Sequence, residues 1–361
     1  MAWNTLKEYI GWEDPKTNDQ NKMGDLLDIE TSQNLLTMVG TMGAGKSAHL
    51  GGLLIAADRK VSKSRGTEYP FRYFIDEGSS NIENDKSALR AGHFPPKTGL
   101  MKSSTVEPAA TFEWTHVKYL ASREITLSKR QAKMSIADMA GEDLVNLIEQ
   151  VNRTRTLQQA SKINMDRSIN LVCNSSALML IIKATRAQGL EIELEKEPTG
   201  IDGLSIYSDA NLTRIVKGIV RFKRQNPNSP KLRNIAIIVT AWDGLEPVAK
   251  QISQITGQPF DPLDIKLSAE CLDKFVYAFY PSTHATIHSL GLSNIHYFPS
   301  FFEIERDSKW DPICWDGGNS PKIKRPEIFD RSRNWEDNIN TIKSSEFWFF
   351  KELDWLQELA N

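Results

Sequence analysis

Cysteine is scarce: three residues in 361, Cys173, Cys271 and Cys314, standing far apart. They make no C-x-x-C pair and no even framework, which excludes a disulfide scaffold and points to reduced thiols in a cytoplasmic protein. Long apolar runs are missing too. The longest, Ala177–Ile182, is far short of the ~20 residues a membrane-spanning helix needs. The opening MAWNTLKEYIGWEDP has no basic stretch leading into an apolar core, so no secretion signal is expected. Neither sign of charge dominates, with 44 Lys and Arg against 46 Asp and Glu. That balance removes the electrostatic footprint of a nucleic-acid binder, and the short clusters RFKRQ and PKIKRP read as solvated surface. Internal repeats and low-complexity tracts are absent. His284 and His288 have the i, i+4 spacing of a helical metal site, but no third ligand stands near them in the sequence, and no metal is expected there.

What is present is an alternation of strand-like and helix-like apolar patterns. It predicts an α/β fold with a mainly parallel sheet flanked by helices. The strands expected are NLLTMV, KMSIAD, ALMLII and NIAIIVT, with FRYFID, TFEWTHVKYL and REITLS as edge or antiparallel strands and IHYFPSFFEI as a late one. Helical spacing marks SAHLGGLLIAA, EDLVNLIEQVNR, DANLTRIVKGIVRFK, DPLDIKLSAECLDKFVYAFY and the serine-capped SSEFWFFKELDWLQELA. Residues 185–208 and 306–340 read as irregular. The division expected is an N-terminal segment over 1–30, a main domain with insertions over 31–305, and a surface-wrapping segment with a closing helix on the same domain over 306–361.

GTMGAGKS follows the NLLTMV strand directly and runs into a helix. Strand, glycine loop, helix is the context that G-x-x-x-x-G-K-[ST] requires. Gly40, Gly43 and Gly45 allow the backbone of Thr41, Met42 and Ala44 to curl so that N–H groups point inward as an anion nest. The helix entered through Ala48 adds its positive end. Lys46 can reach β- and γ-phosphates, and the Ser47 hydroxyl can ligate Mg²⁺. A metal partner is expected at the end of a neighbouring strand, and KMSIADMAGED supplies Asp138, with Gly141 three residues on.

DMAGE resembles the D-x-x-G motif of the Ras-like, translation-factor class of GTPases. The resemblance implies a G-domain-like phosphate-loop fold with insertions, in which Asp138 contacts the metal's water, Gly141 reads the γ-phosphate and Glu142 stands in the water-positioning place. A solvated residue or helix cap is the other reading of Glu142. The segment LRAGHFPPKTG resembles one in the bacterial double-GTPase family of conflict and defence systems, and implies Thr98 as the switch ligand to Mg²⁺; Thr105 and Thr111 are competitors. NIAIIVTAWD is similar to the N-K-x-D motif, which implies that Asp243 reads guanine and that Thr240 replaces part of the asparagine's bonding. Trp242 either packs on the base or belongs to the core. Ser300 in HYFPSFF stands where the family has a base-contacting serine. The class implies GTP and GDP as ligands, Mg²⁺ as cofactor, switch segments near 92–105 and 139–155, and slow hydrolysis raised by a protein partner or by self-association. Arg90, Arg123 and Arg153 are the candidates for an arginine finger. The same phosphate site also fits an ATPase, or a scaffold that binds nucleotide with little turnover.

Overall fold

The computed structural model describes residues 30–40, 43–75, 80–95, 106–120, 123–137, 174–187, 190, 209–227, 229–292, 294–302, 304–309, 311–315, 321–323 and 344–360. The apolar run around Leu36, Met38 and Val39 forms β1 (Glu30–Gly40). The other strands are β2 (Phe71–Ile75), β3 (Val106–Leu120), β4 (Arg123–Ala137), β5 (Ala177–Lys183), β6 (Asn234–Thr240) and β7 (Asn294–Ser300). They make one sheet in the order β2-β3-β4-β1-β5-β6-β7. β1 pairs in parallel with β4 and β5, and β5–β6 and β6–β7 are parallel as well. β2–β3 and β3–β4 are antiparallel. β5 and β6 are covered on both faces, which is why they read as continuous apolar runs and not as alternations.

REITLS and KMSIAD, expected as separate strands, are one strand, β4. The polar run Lys129–Gln131 between them looks like a break in the sequence. In the sheet, Glu113 of β3 stands opposite Gln131, accepts from its amide at 2.9 Å, and meets the Lys129 ammonium at 2.7 Å. Cross-strand polar pairing carries the strand through.

The helices among the described residues are α1 (Lys46–Ser64), α2 (Ser80–Arg90), α3 (Asp209–Gln225), α4 (Ala249–Thr256), α5 (Ile265–Phe279), α6 (Pro281–His288) and α7 (Ser344–Ala360). Alternation along β7 sorts the helices onto the two faces of the sheet. His296 and Phe298 meet Trp355 of α7, and Ser300 meets His49 of α1. Tyr297, between them, meets His288 of α6. α1 and α7 therefore cover one face, and α5 and α6 the other.

Local chemistry sets several helix ends. Asp264 caps α5 by accepting from the Leu267 N–H at 2.8 Å. Asp209, the first residue of α3, accepts from the N–H groups of Ser282 and Thr283 at 2.7 Å each and so caps α6 from a neighbouring helix. α7 lies on α1 at Gly52, where a Cβ would stand 2.4 Å from Phe349 Cζ and 2.7 Å from Phe302 Cζ. Described parts of the expected surface-wrapping segment clasp the end of α2: the Ile323 N–H and the Trp315 indole both donate to the Gly92 carbonyl, at 3.0 and 3.2 Å, and His93 stacks on Trp315. EDLVNLIEQVNR lies outside the described residues. Among those described, no helix is long and apolar enough to cross a membrane.

Candidate functional site

β1 sits between strands reached by connections of opposite direction, and the carboxyl end of such a strand is where open α/β sheets place their ligands. Gly40 is the last residue of that strand. A Cβ there would lie 2.7 Å from the Ile181 carbonyl oxygen, so close packing against β5 already demands glycine. Gly43 and Gly45 adopt φ of 69° and 89°, left-handed values that favour glycine. Gly45 is the N-cap of α1. No side chain caps this helix, and its first turn carries no acidic residue. The positive end of the helix is therefore directed at the loop without an internal anion.

Lys46 is buried, and its Nζ donates to the Gly40 carbonyl at 3.0 Å, so the ammonium lies within the curl of the loop. Ser47 and Ala48 follow, half-buried, in the first turn. Thr240, at the end of β6, ties this loop down. Its hydroxyl lies 2.5 Å from the Ala44 carbonyl and 3.0 Å from that of Ile182, and both are acceptors for its single proton. Thr240 thus anchors the loop to the neighbouring strands.

After Thr240 the chain turns through Ala241 at φ 54°, a left-handed value unusual for a side-chain-bearing residue. The turn sends Trp242 inward. Its side chain is fully buried, its indole donates to Ser268 Oγ at 3.0 Å, and it packs edge-on against Phe260 and Phe275. Of the two readings of Trp242, the side chain sits in the core. Asp243 follows, half-buried, at the carboxyl end of β6. A Cβ on Gly244 would meet Thr185 at 2.7 Å, so the 3-10 turns after β5 and β6 are pressed together beside the loop.

Ser300 ends β7 at 4% exposure with Oγ 2.8 Å from His49 Nδ1, and His49 Nε2 is 2.9 Å from Glu352 Oε1. Sequence reasoning did not single out His49 or Glu352. The available signal was a polar residue on the apolar face of SAHLGGLL.

Thr41, Met42, Thr98, Asp138, Gly141 and Glu142 lie outside the described residues. The strand that precedes Asp138 ends at Ala137, and its Ile136 stands opposite Met38 of β1. Arg90 pairs with Asp58 of α1, about 18 Å along that helix from Lys46 at 1.5 Å per residue, so it is not placed as an arginine finger. Arg153 lies outside the described residues, and Arg123 is described only as the first residue of β4.

A second cluster forms around His284 and His288, with a third ligand type that their sequence neighbourhood lacks. Asp273, on the preceding helix, supplies the third ligand type, and one ligand atom from each of the three residues falls within 4.8 Å of the others.

No protein-family model matches the chain, and no curated protein matches it. Similar solved structures include the GTPase-like domain of S. cerevisiae Ski7 bound to GTP, with 13% identity and a TM-score of 0.34 over 96% of this chain and 53% of that one. The same domain bound to GDP and inorganic phosphate aligns at 13% identity and a TM-score of 0.30, over 91% and 54%. Sup35 complexed with GDP aligns at 14% identity and a TM-score of 0.28, over 86% and 48%. The chain spans about half the length of these structures.

Proposed function

We propose that this chain is a Mg²⁺-dependent GTPase whose phosphate site is the Gly40–Ser47 loop. The observation that carries the reading is the Lys46 ammonium held within a glycine loop, at the uncapped end of α1 and at the switch point of a parallel sheet. On triphosphate binding, Lys46 exchanges the Gly40 carbonyl for β- and γ-phosphate oxygens. Ser47 holds Mg²⁺ together with Asp138 and Thr98, Gly141 contacts the γ-phosphate, and Glu142 orients the attacking water. The metal supplies neutralisation of charge on the phosphates. Acceleration comes from positioning and from fixed positive charge, and turnover is slow until a protein partner or a second copy adds to the site. The double-GTPase resemblance of LRAGHFPPKTG is what supports reading such a switch as part of a bacterial conflict or defence system.

Asp243 carries the base preference. An ATPase is the second reading, favoured by one specific observation: Thr240 bonds the loop and Trp242 lies in the core, which leaves Asp243 alone among the N-K-x-D-like residues to meet a base. Displacement of a fluorescent guanine nucleotide by GTP and by ATP, each with and without Mg²⁺, separates the two. GTP is expected to compete better than ATP, and Ser47→Ala to lose the gain produced by Mg²⁺. Equal competition moves the chain to the ATPase reading, and failure of every triphosphate to bind removes the phosphate site itself.

A further inference from the structure

His284 and His288 lie one turn apart on α6, so their side chains share one face of that helix. The rings are 4.1 Å apart between centroids. Across the corner between α5 and α6, Asp273 turns its carboxylate toward both: Oδ1 is 3.0 Å from His284 Nε2 and 3.9 Å from His288 Nε2. In a tetrahedral zinc site with bonds of about 2.0–2.1 Å, ligand atoms stand about 3.3 Å apart, so these separations bracket the required edge. Tyr297 of β7 approaches from the sheet, its hydroxyl 3.0 Å from His288 Nε2.

We propose that Asp273, His284 and His288 form a three-residue zinc site, with Tyr297 as the outer partner that orients the carboxylate and water filling the remaining position. The donor set suits Zn²⁺: two imidazoles and one carboxylate, with no thiolate in the cluster. His284 meets the water-exposed edge of the cluster at 14% exposure, while Asp273 and His288 are about half exposed, so an ion can enter without unfolding. Once bound, the ion joins α5, α6 and β7. α5 also carries Ser268 and Phe275, the residues that hold Trp242 beside Asp243. The site thus braces the layer behind the end of β6, and it stands on residues independent of the nucleotide reading.

Calorimetric titration of Zn²⁺ into the full chain after chelator treatment tests this. One equivalent is expected to bind and to raise the melting temperature, and Co²⁺ in its place should give the visible absorption of a low-coordinate N/O site. The double variant His284→Ala, His288→Ala should lose both the stoichiometric event and the thermal shift. Asp273→Asn keeps an oxygen that accepts from His284, so it serves as the variant that preserves packing; it should still lose the Co²⁺ spectrum. Tyr297→Phe should weaken Zn²⁺ by about tenfold or more, as for loss of an outer-shell donor. Absence of any stoichiometric Zn²⁺ uptake by the parent overturns the site. So does unchanged uptake in both the double variant and Asp273→Asn, which would place the metal on the cysteines or elsewhere.

Discussion

His49 Nε2 lies 2.9 Å from a carboxylate oxygen of Glu352, across 303 residues of sequence, and both residues are 1% exposed. Ser300 completes the chain at the other ring nitrogen. A serine, a histidine and a carboxylate in this order can make a nucleophile where a substrate reaches the hydroxyl. Here all three are buried, and they act as a fastening between α1, β7 and α7. Glu352→Ala leaves a buried imidazole N–H without its acceptor, at a cost of about 1–3 kcal/mol. Urea denaturation should show the loss as a lower midpoint at unchanged slope, with Glu352→Gln in between. A midpoint equal to that of an exposed α7 substitution such as Asp354→Ala would show that the fastening contributes nothing.

Lys46→Ala removes the charge that the loop encloses while leaving the glycines in place. The Gly40 carbonyl that its ammonium meets belongs to a loop whose glycines stay in place, so the fold should survive. Triphosphate affinity should drop at least tenfold, about 1.4 kcal/mol. Calorimetry of the folded variant giving parental affinity would end the phosphate-loop reading.

Asp243→Asn replaces one acceptor with a donor. Guanine presents N–H groups to that position and xanthine a carbonyl, so GTP affinity should fall by about 1–3 kcal/mol, while xanthosine triphosphate gains. The measurement is a competition series on parent and variant. If neither nucleotide changes, Asp243 does not read the base.

Trp242→Ala tests the core placement of this residue. As a core side chain between Phe260 and Phe275 it should cost about 3–5 kcal/mol of stability, and the Ser268 hydroxyl loses a donor. Melting curves report this directly. A variant of parental stability that binds guanine nucleotide poorly would return Trp242 to the base.

Gly52→Ala introduces a methyl where Phe349 and Phe302 already meet the helix backbone. Overpacking of this kind costs about 1–3 kcal/mol. Phe349→Leu in the same chain should recover part of the loss, because it removes the nearer ring. Equal melting temperatures for parent and Gly52→Ala would mean that α7 is not pressed on α1 at this point.

β6 was legible to the residue, since NIAIIVT is a strand buried on both faces with nothing polar inside it. The glycine loop was legible because Gly40 packs against the Ile181 carbonyl and Gly43 and Gly45 take left-handed φ, each a separate reason for glycine. Trp242 was not, because whether a residue after a strand faces the core or the crevice depends on the turn taken at Ala241, and a left-handed alanine leaves no mark in composition. Asp273 escaped notice as a companion of His284 because eleven residues and a change of helix separate them. The partner of Ser300 escaped notice for a similar reason: His49 on α1, itself bonded to Glu352 on α7, is brought to it only by the sheet's layering.

The distance along the chain from His49 to Glu352 also sets a timetable for synthesis. At 5–20 residues per second, roughly 15–60 s pass between the making of one and of the other. Throughout that interval the α1 surface bearing His49 and Gly52 has no α7 to lie against, and the imidazole is hydrated. A ribosome stalled before α7 therefore displays an apolar stripe beside the phosphate loop, the kind of surface that holdase chaperones bind, and nascent chains arrested on either side of Glu352 differ in whether that stripe is covered.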